Sequence, residues 1–196
     1  MNAEKLLKQY AEGDRDFRGV DLSGVKLARV NLQEIDLSFA ILDRANLSQV
    51  VLSEANLTGA SLAEVNLFGA SMELANLSEA NLDRADLREV NLSEALLFKT
   101  SLTDAQLQKS VLAEAILNRT YLRRTNLAEA ILTEAYMRGA NLTNANLTNA
   151  DLTKANLEAA FLIEANLFQA SLLETNLNQT ILTGAIMPNG TCYQGE

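Results

Sequence analysis

The 196-residue chain contains no histidine and no tryptophan, one proline and one cysteine. Without imidazole, His-based acid–base catalysis and His-ligated zinc are excluded. Cys192 is alone, so no disulfide forms within the chain. Aromatic residues make up 5% of the sequence and apolar residues 48%, so the core has to be built from small and medium aliphatics. With Pro188 as its sole proline, the chain has no Pro-punctuated linker. No apolar run approaches the roughly eighteen residues of a membrane span. Residues Met1 to Tyr10 lack the apolar stretch of a secretion signal. The expectation is a cytoplasmic protein without membrane association. A net charge of −9 argues against direct nucleic-acid binding, which needs Lys and Arg against phosphate.

Catalytic signatures are also missing. There is no Gly-x-Ser-x-Gly turn and no phosphate-cradling glycine loop. The chain is therefore read as a non-enzyme that takes no cofactor and no metal.

What the sequence does have is a period of five. Every fifth residue from Phe17 to Met187 is Leu, apart from Phe17, Met72, Met137 and Met187, and the phase never slips. Two residues before each of these centres, from Val20 to Ala185, stands Ala or, less often, Val, Ile, Thr or Ser. The residue just before the centre is usually Asn or Asp, as in Asn31, Asn56 and Asp86. Five fits neither the 3.6 period of a helix nor the 2.0 period of a free strand. A short extended piece followed by a turn does fit. If each turn redirects the chain by a quarter, four units close one coil, and coils stack at about 4.8 Å. The sequence then makes about nine coils, on the order of 40 Å long. The centre and the small residue point inward, and the other three point outward. Bulkier residues at Val20, Val25, Val30 and Ile35 imply a slightly wider first coil. Asn and Asp suit a chain that turns this often, because they hydrogen-bond nearby backbone.

Units such as Ala55-Asn56-Leu57-Thr58-Gly59 and Ala145-Asn146-Leu147-Thr148-Asn149 resemble the A(D/N)Lxx unit of the pentapeptide-repeat family. The resemblance covers about residues 15 to 189 and is nearest to cyanobacterial members. It implies an all-β solenoid: a right-handed quadrilateral β-helix of about nine coils with a short N-terminal capping α-helix. Three segments follow: a capping helix over 1–14, the β-helix over 15–189 and a tail over 190–196. The resemblance also implies that members are seldom enzymes.

The ends differ from the repeat. Residues 2 to 12 predict a helix, with Asn2 as N-cap and Gly13 as stop. Leu6, Leu7 and Tyr10 share one face, which makes the helix a lid over the coil around Phe17. Beyond Met187 too little chain remains for a comparable lid. Pro188, Tyr193 and the chain end are left to cover part of the last coil. The protein is accordingly read as a monomer or an end-to-end dimer.

Residues twenty apart stack on one face. Glu34, Glu54, Glu94, Glu114, Glu134 and Glu174 form an acidic ladder, interrupted by Leu74 and Lys154. Unit charges 4.8 Å apart repel by about 0.9 kcal/mol even in water. The ladder is either a docking strip for a basic partner or a solvated face. Around the corner Leu96, Ile116 and Tyr136 replace the usual Asn, with Phe98 beside them. Lys99, Arg119 and Arg138 lie beyond. An apolar centre with a charged rim resembles an interface, whereas like residues also stack in ladders for structural reasons alone. The partner implied is another protein. The family resemblance implies one alternative, a DNA-mimicking binder of DNA gyrase, and a purely structural spacer is a further reading.

Overall fold

The computed structural model describes residues 1–194. One helix, α1, spans Ala3–Ala11, and Asn2 caps it by accepting the Lys5 N–H at 2.9 Å. Gly13, at φ +98°, leads the chain out of the helix. From Asp16 onward the structure is a ladder of parallel bridges, each joining a residue to the one twenty further on. It runs from Asp16↔Asp36 to Asn166↔Ile186. Each coil therefore takes twenty residues and contains four turns, one per unit. The stacked units form four columns, named here by their first centres: the Phe17, Leu22, Leu27 and Leu32 stacks.

One unit shows how the backbone is satisfied. In Ala55 to Gly59 the Ala55 N–H closes the preceding turn onto the Leu52 carbonyl at 3.0 Å. Asn56 N–H donates back one coil to Ile35 at 2.9 Å, and Leu57 N–H donates forward to Asn76 at 2.7 Å. Gly59 N–H reaches the Ser78 carbonyl at 2.9 Å. That leaves the Thr58 amide, which no backbone carbonyl reaches. The Asn56 side chain accepts it at 3.2 Å. The residue before the centre is thus Asn or Asp because its side chain serves the fifth amide of its own unit.

From Gly19 to Gly184 the second residue of every turn sits at positive φ. Glycines 19, 24, 59, 69, 139 and 184 hold this position in some units. Elsewhere it is Glu, Arg, Lys, Gln or another L-residue near +60°, such as Glu94 at +57°. That conformation costs an L-residue about 1–2 kcal/mol. Turn closure and coil stacking have to offset that cost in each unit. The outward charged ladders stand at these strained turn positions.

The core is one continuous file of centres and small residues, nearly all fully buried. Where the small position is Thr, its hydroxyl donates to a backbone carbonyl of the preceding coil. Thr100 reaches Leu77 and Thr120 reaches Leu97, each at 2.7 Å. A buried hydroxyl is thereby accommodated without an unmet donor.

At the N-terminal mouth Leu6 of α1 is fully buried. Ala3, Leu7, Tyr10, Val20, Val25 and Val30 pack against the core as half-buried neighbours. Stacking bonds in the first coil, such as Asp36 N–H to Arg15 O at 2.8 Å, match those elsewhere. Tyr10 Oη donates to the Gln33 carbonyl at 2.9 Å, and Arg15 lies 3.8 Å over its ring. At the other end the tail folds back. Cys192 pairs antiparallel with Ile186, and Tyr193 N–H bonds the Ala185 carbonyl at 2.8 Å. Leu172, Leu177 and Met187 are only half-buried there. Residues 195–196 of the tail lie outside the described residues. Among the described residues no helix is long and apolar enough to cross a membrane.

Leu6→Ala is expected to lower unfolding stability by about 2–5 kcal/mol, the usual cost of a fully buried Leu. Urea unfolding followed by circular dichroism measures this. An unchanged midpoint would mean that α1 does not close the first coil.

Candidate interaction face

The Phe17 stack has a simple cross-section. A bridge residue stands outward in the middle, with a turn on either side. In its fifth to seventh coils the middle column is Leu96, Ile116 and Tyr136, joined by the bridges Leu96↔Ile116 and Ile116↔Tyr136. Leu96 is 36% and Tyr136 51% exposed, and Ile116 is half-buried. The turn on one side carries Glu94, Glu114 and Glu134, all exposed. The turn on the other carries half-buried Phe98 with exposed Lys99, Arg119 and Arg138. The structure brings all these residues onto one face, in the order acid, apolar, base.

The apolar column changes the backbone accounting. Above it, Asn56 and Asn76 accept the fifth amides of their units, Thr58 and Ser78, at 3.2 and 3.0 Å. Leu96 and Ile116 offer no acceptor to the amides of Phe98 and Asn118. At Tyr136 the substitute comes from the neighbouring coil, where Asn118 Oδ1 accepts the Arg138 N–H at 2.9 Å. Three successive coils therefore present apolar side chains where the repeat would otherwise supply its own cap.

The basic side is partly paired within its own stack. Lys99 approaches Glu79 at 3.8 Å and the Phe98 ring at 5.1 Å. Arg138 bonds Glu158 at 3.2 Å. Arg119 has no carboxylate partner among the described residues. With Phe98, Asn118, Arg138, Gly139 and Ala159 it lines a shallow depression of about 640 Å³. On the acidic side the whole ladder of Glu34, Glu54, Glu94, Glu114, Glu134 and Glu174 is exposed. Lys154 is not a neutral gap in it. It donates to Glu134 at 3.2 Å, and the Glu134 carboxylate, with Glu174 beyond it, raises the lysine above its ordinary range.

A second charged column escapes a search for like residues, because its sign alternates. In the Leu22 stack Arg44, Glu64 and Arg84 pair in sequence at 3.0 and 2.8 Å. Asp104 and Arg124 follow, paired at 2.7 Å. The hydrogen bonds from Arg84 and Arg44 hold Glu64 below the usual carboxylate range, and Arg124 does the same to Asp104. Reading opposite charges at a spacing of twenty would have found this column. Tyr121, 51% exposed, lies in the same stack, with Arg119 and Arg123 its near neighbours in sequence. Among the described residues no cluster of acidic or sulfur side chains is placed to hold a metal.

The family model described as Pentapeptide repeats matches the chain in eight copies, at residues including 16–53, 31–69, 75–112, 105–144, 120–158 and 145–184. HetL, from the cyanobacterium Nostoc sp. strain PCC 7120, is 33% identical, covering 98% of this chain and 100% of that one, with a TM-score of 0.44. It is described as involved in heterocyst differentiation regulation. Trypsin-treated QnrB1, a plasmid-mediated fluoroquinolone resistance protein, is 15% identical with a TM-score of 0.63. That match covers 84% of this chain and 90% of the other, and it is a likeness of fold. Rfr23, from the cyanobacterium Cyanothece 51142, is 23% identical over 98% of this chain and 100% of its own, with a TM-score of 0.19. No curated protein matches this chain significantly.

The variant Leu96→Asn, Ile116→Asn, Tyr136→Asn regains two self-capped amides, each worth about 0.5–1.5 kcal/mol, and loses partly exposed apolar contacts of similar size. Its stability is expected to lie within about 1 kcal/mol of wild type by that balance, measured by urea unfolding. A much larger loss would identify the column as structural stacking.

Proposed function

This chain belongs to the pentapeptide-repeat family, and we propose that it is a non-catalytic protein-interaction module on a right-handed quadrilateral β-helix. The segment 1–14, with its helix at Ala3–Ala11, closes one end of the 15–189 solenoid, and residues 190–194 of the 190–196 tail fold back over the other. The interaction patch is Leu96, Phe98, Lys99, Ile116, Arg119, Tyr136 and Arg138, with the acidic ladder as its flank. The observation that carries this reading is the loss of the self-supplied cap at Leu96 and Ile116 in favour of apolar side chains, Leu96 exposed and Ile116 half-buried. Within the Phe17 stack the coils on either side keep Asn there, as Asn56, Asn76, Asn156 and Asn176 show. Exposed apolar groups with a charged rim match the composition of interface centres.

The DNA-mimic reading rests on the acidic ladder. Leu74 breaks that ladder and Lys154 neutralises part of it, which weakens its likeness to the evenly charged backbone of a duplex. The apolar patch takes no part in that reading, whereas the interaction reading uses both features.

Immobilised wild type and the triple Asn variant are compared for the protein each retains. Retention by wild type with loss by the variant is the expected outcome. Equal retention by both would remove the patch from the account.

A further inference from the structure

We propose that this patch takes a second copy of the same chain, joined side by side and in parallel about a two-fold axis running along the Leu96, Ile116, Tyr136 column. The inference rests on the interaction reading above and names its partner. Its basis is the charge order across the Phe17 stack. Coil by coil, the two turns flanking the middle column carry Glu94 and Lys99, Glu114 and Arg119, Glu134 and Arg138, then Lys154 and Glu158. Four successive coils thus have opposite charges on their two edges. In the fourth, both edges change sign together.

A two-fold axis parallel to the solenoid exchanges left and right edges and keeps each coil opposite its own copy. It sets Glu114 against the partner's Arg119 and Arg119 against the partner's Glu114. It also sets Lys154 against the partner's Glu158, so the reversal is accommodated along with the rule. A two-fold axis perpendicular to the solenoid would instead lay acidic edge on acidic edge. The charge order therefore selects the parallel arrangement. Isologous interfaces require this self-inverse pattern, and a patch built for an unrelated protein has no need of it. The middle column meets itself, apolar on apolar, where the interface is driest.

The protomer leaves the central charges free for this use. Glu94, Glu114 and Arg119 form no ion pair among the described residues, while Lys99 approaches Glu79 and the outer Glu134, Lys154, Arg138 and Glu158 are paired along their own edges. The four coils that carry the charge order span about 15 Å by 19 Å, and the whole face of nine coils, on which the contact has to draw, about 15 Å by 40 Å. That gives about 600 Å² per copy and about 1,200 Å² in total, the lower bound for specific association. The dimer is accordingly a weak one, with dissociation in the micromolar range.

Sedimentation equilibrium of the full chain tests this. Wild type is expected to dimerise. Glu114→Arg alone and Arg119→Glu alone each oppose like charges at two symmetric places, and each should weaken association at least about tenfold. An equimolar mixture of the two should recover wild-type affinity as a heterodimer, because each swapped residue then faces its opposite. Leu96→Cys in a Cys192→Ser background should cross-link to itself on mild oxidation. In an antiparallel pair residue 96 would face residue 136, and no cross-link would form. Wild type that stays monomeric at hundreds of micromolar overturns the proposal. So does a dimer indifferent to both charge swaps, which would be joined through the open last coil. A monomer whose retained partner still depends on the three apolar residues overturns the dimer and leaves the interaction reading intact.

Discussion

Five backbone amides per unit have to be satisfied in a tube with no spare chain, and most of this molecule follows from how that is done. Two are spent on the coil ahead, one on the coil behind and one on the turn. The fifth has no carbonyl in reach and depends on the side chain two residues before it. A buried or half-buried amide without a partner is costly, so the position before each centre is held to Asn or Asp through much of the chain. The same geometry drives the second turn residue into positive φ, which stacking has to offset coil after coil. Stability is then distributed along the solenoid, each coil depending on its neighbours.

Such a frame has little freedom inward. The centres and small residues are fixed by space, and the Thr hydroxyls that enter the core are met by carbonyls of the adjacent coil. Variation moves to the outward positions, where one substitution is repeated at 4.8 Å intervals simply by recurring every twenty residues. A surface property on this fold is therefore a column property. The ion pairs of Arg44, Glu64 and Arg84, the acidic ladder, and the Leu96, Ile116, Tyr136 column are three instances. They differ in what they give up. The ion column leaves the amide accounting untouched, whereas the apolar column releases amides that Asn would have held.

The repeat was legible in the sequence because its centres never slip, and the spacing of twenty predicts the Leu96, Ile116, Tyr136 column that the bridges join. The lid was legible too, since Asn2 before an amphipathic run and Gly13 after it are local signals. The strained turn column was not. Its residues are mostly Glu, Arg and Lys, and only Gly19, Gly24, Gly59, Gly69, Gly139 and Gly184 hint at positive φ. Long charged side chains carry no mark of that backbone, which is imposed by closure of the coil. The sequence suggested that Asn and Asp bond local backbone, but not that a neighbouring coil can take over, as Asn118 does for Arg138. That exchange exists only once coils are stacked. Lys154 looked like an interruption of the acidic ladder and is instead bonded into it.

The central claim is that the face is made by stacking register rather than by composition. Deleting one unit, residues 101–105, tests it directly. Units are interchangeable inward, so the chain should still fold with an unchanged β-type circular dichroism spectrum. Every later unit moves by one stack, which takes Ile116 and Tyr136 out of line with Leu96 while removing none of the patch residues. The account predicts a folded protein that has lost patch-dependent association. A deletion variant that associates as wild type does, or one that cannot fold, would contradict it.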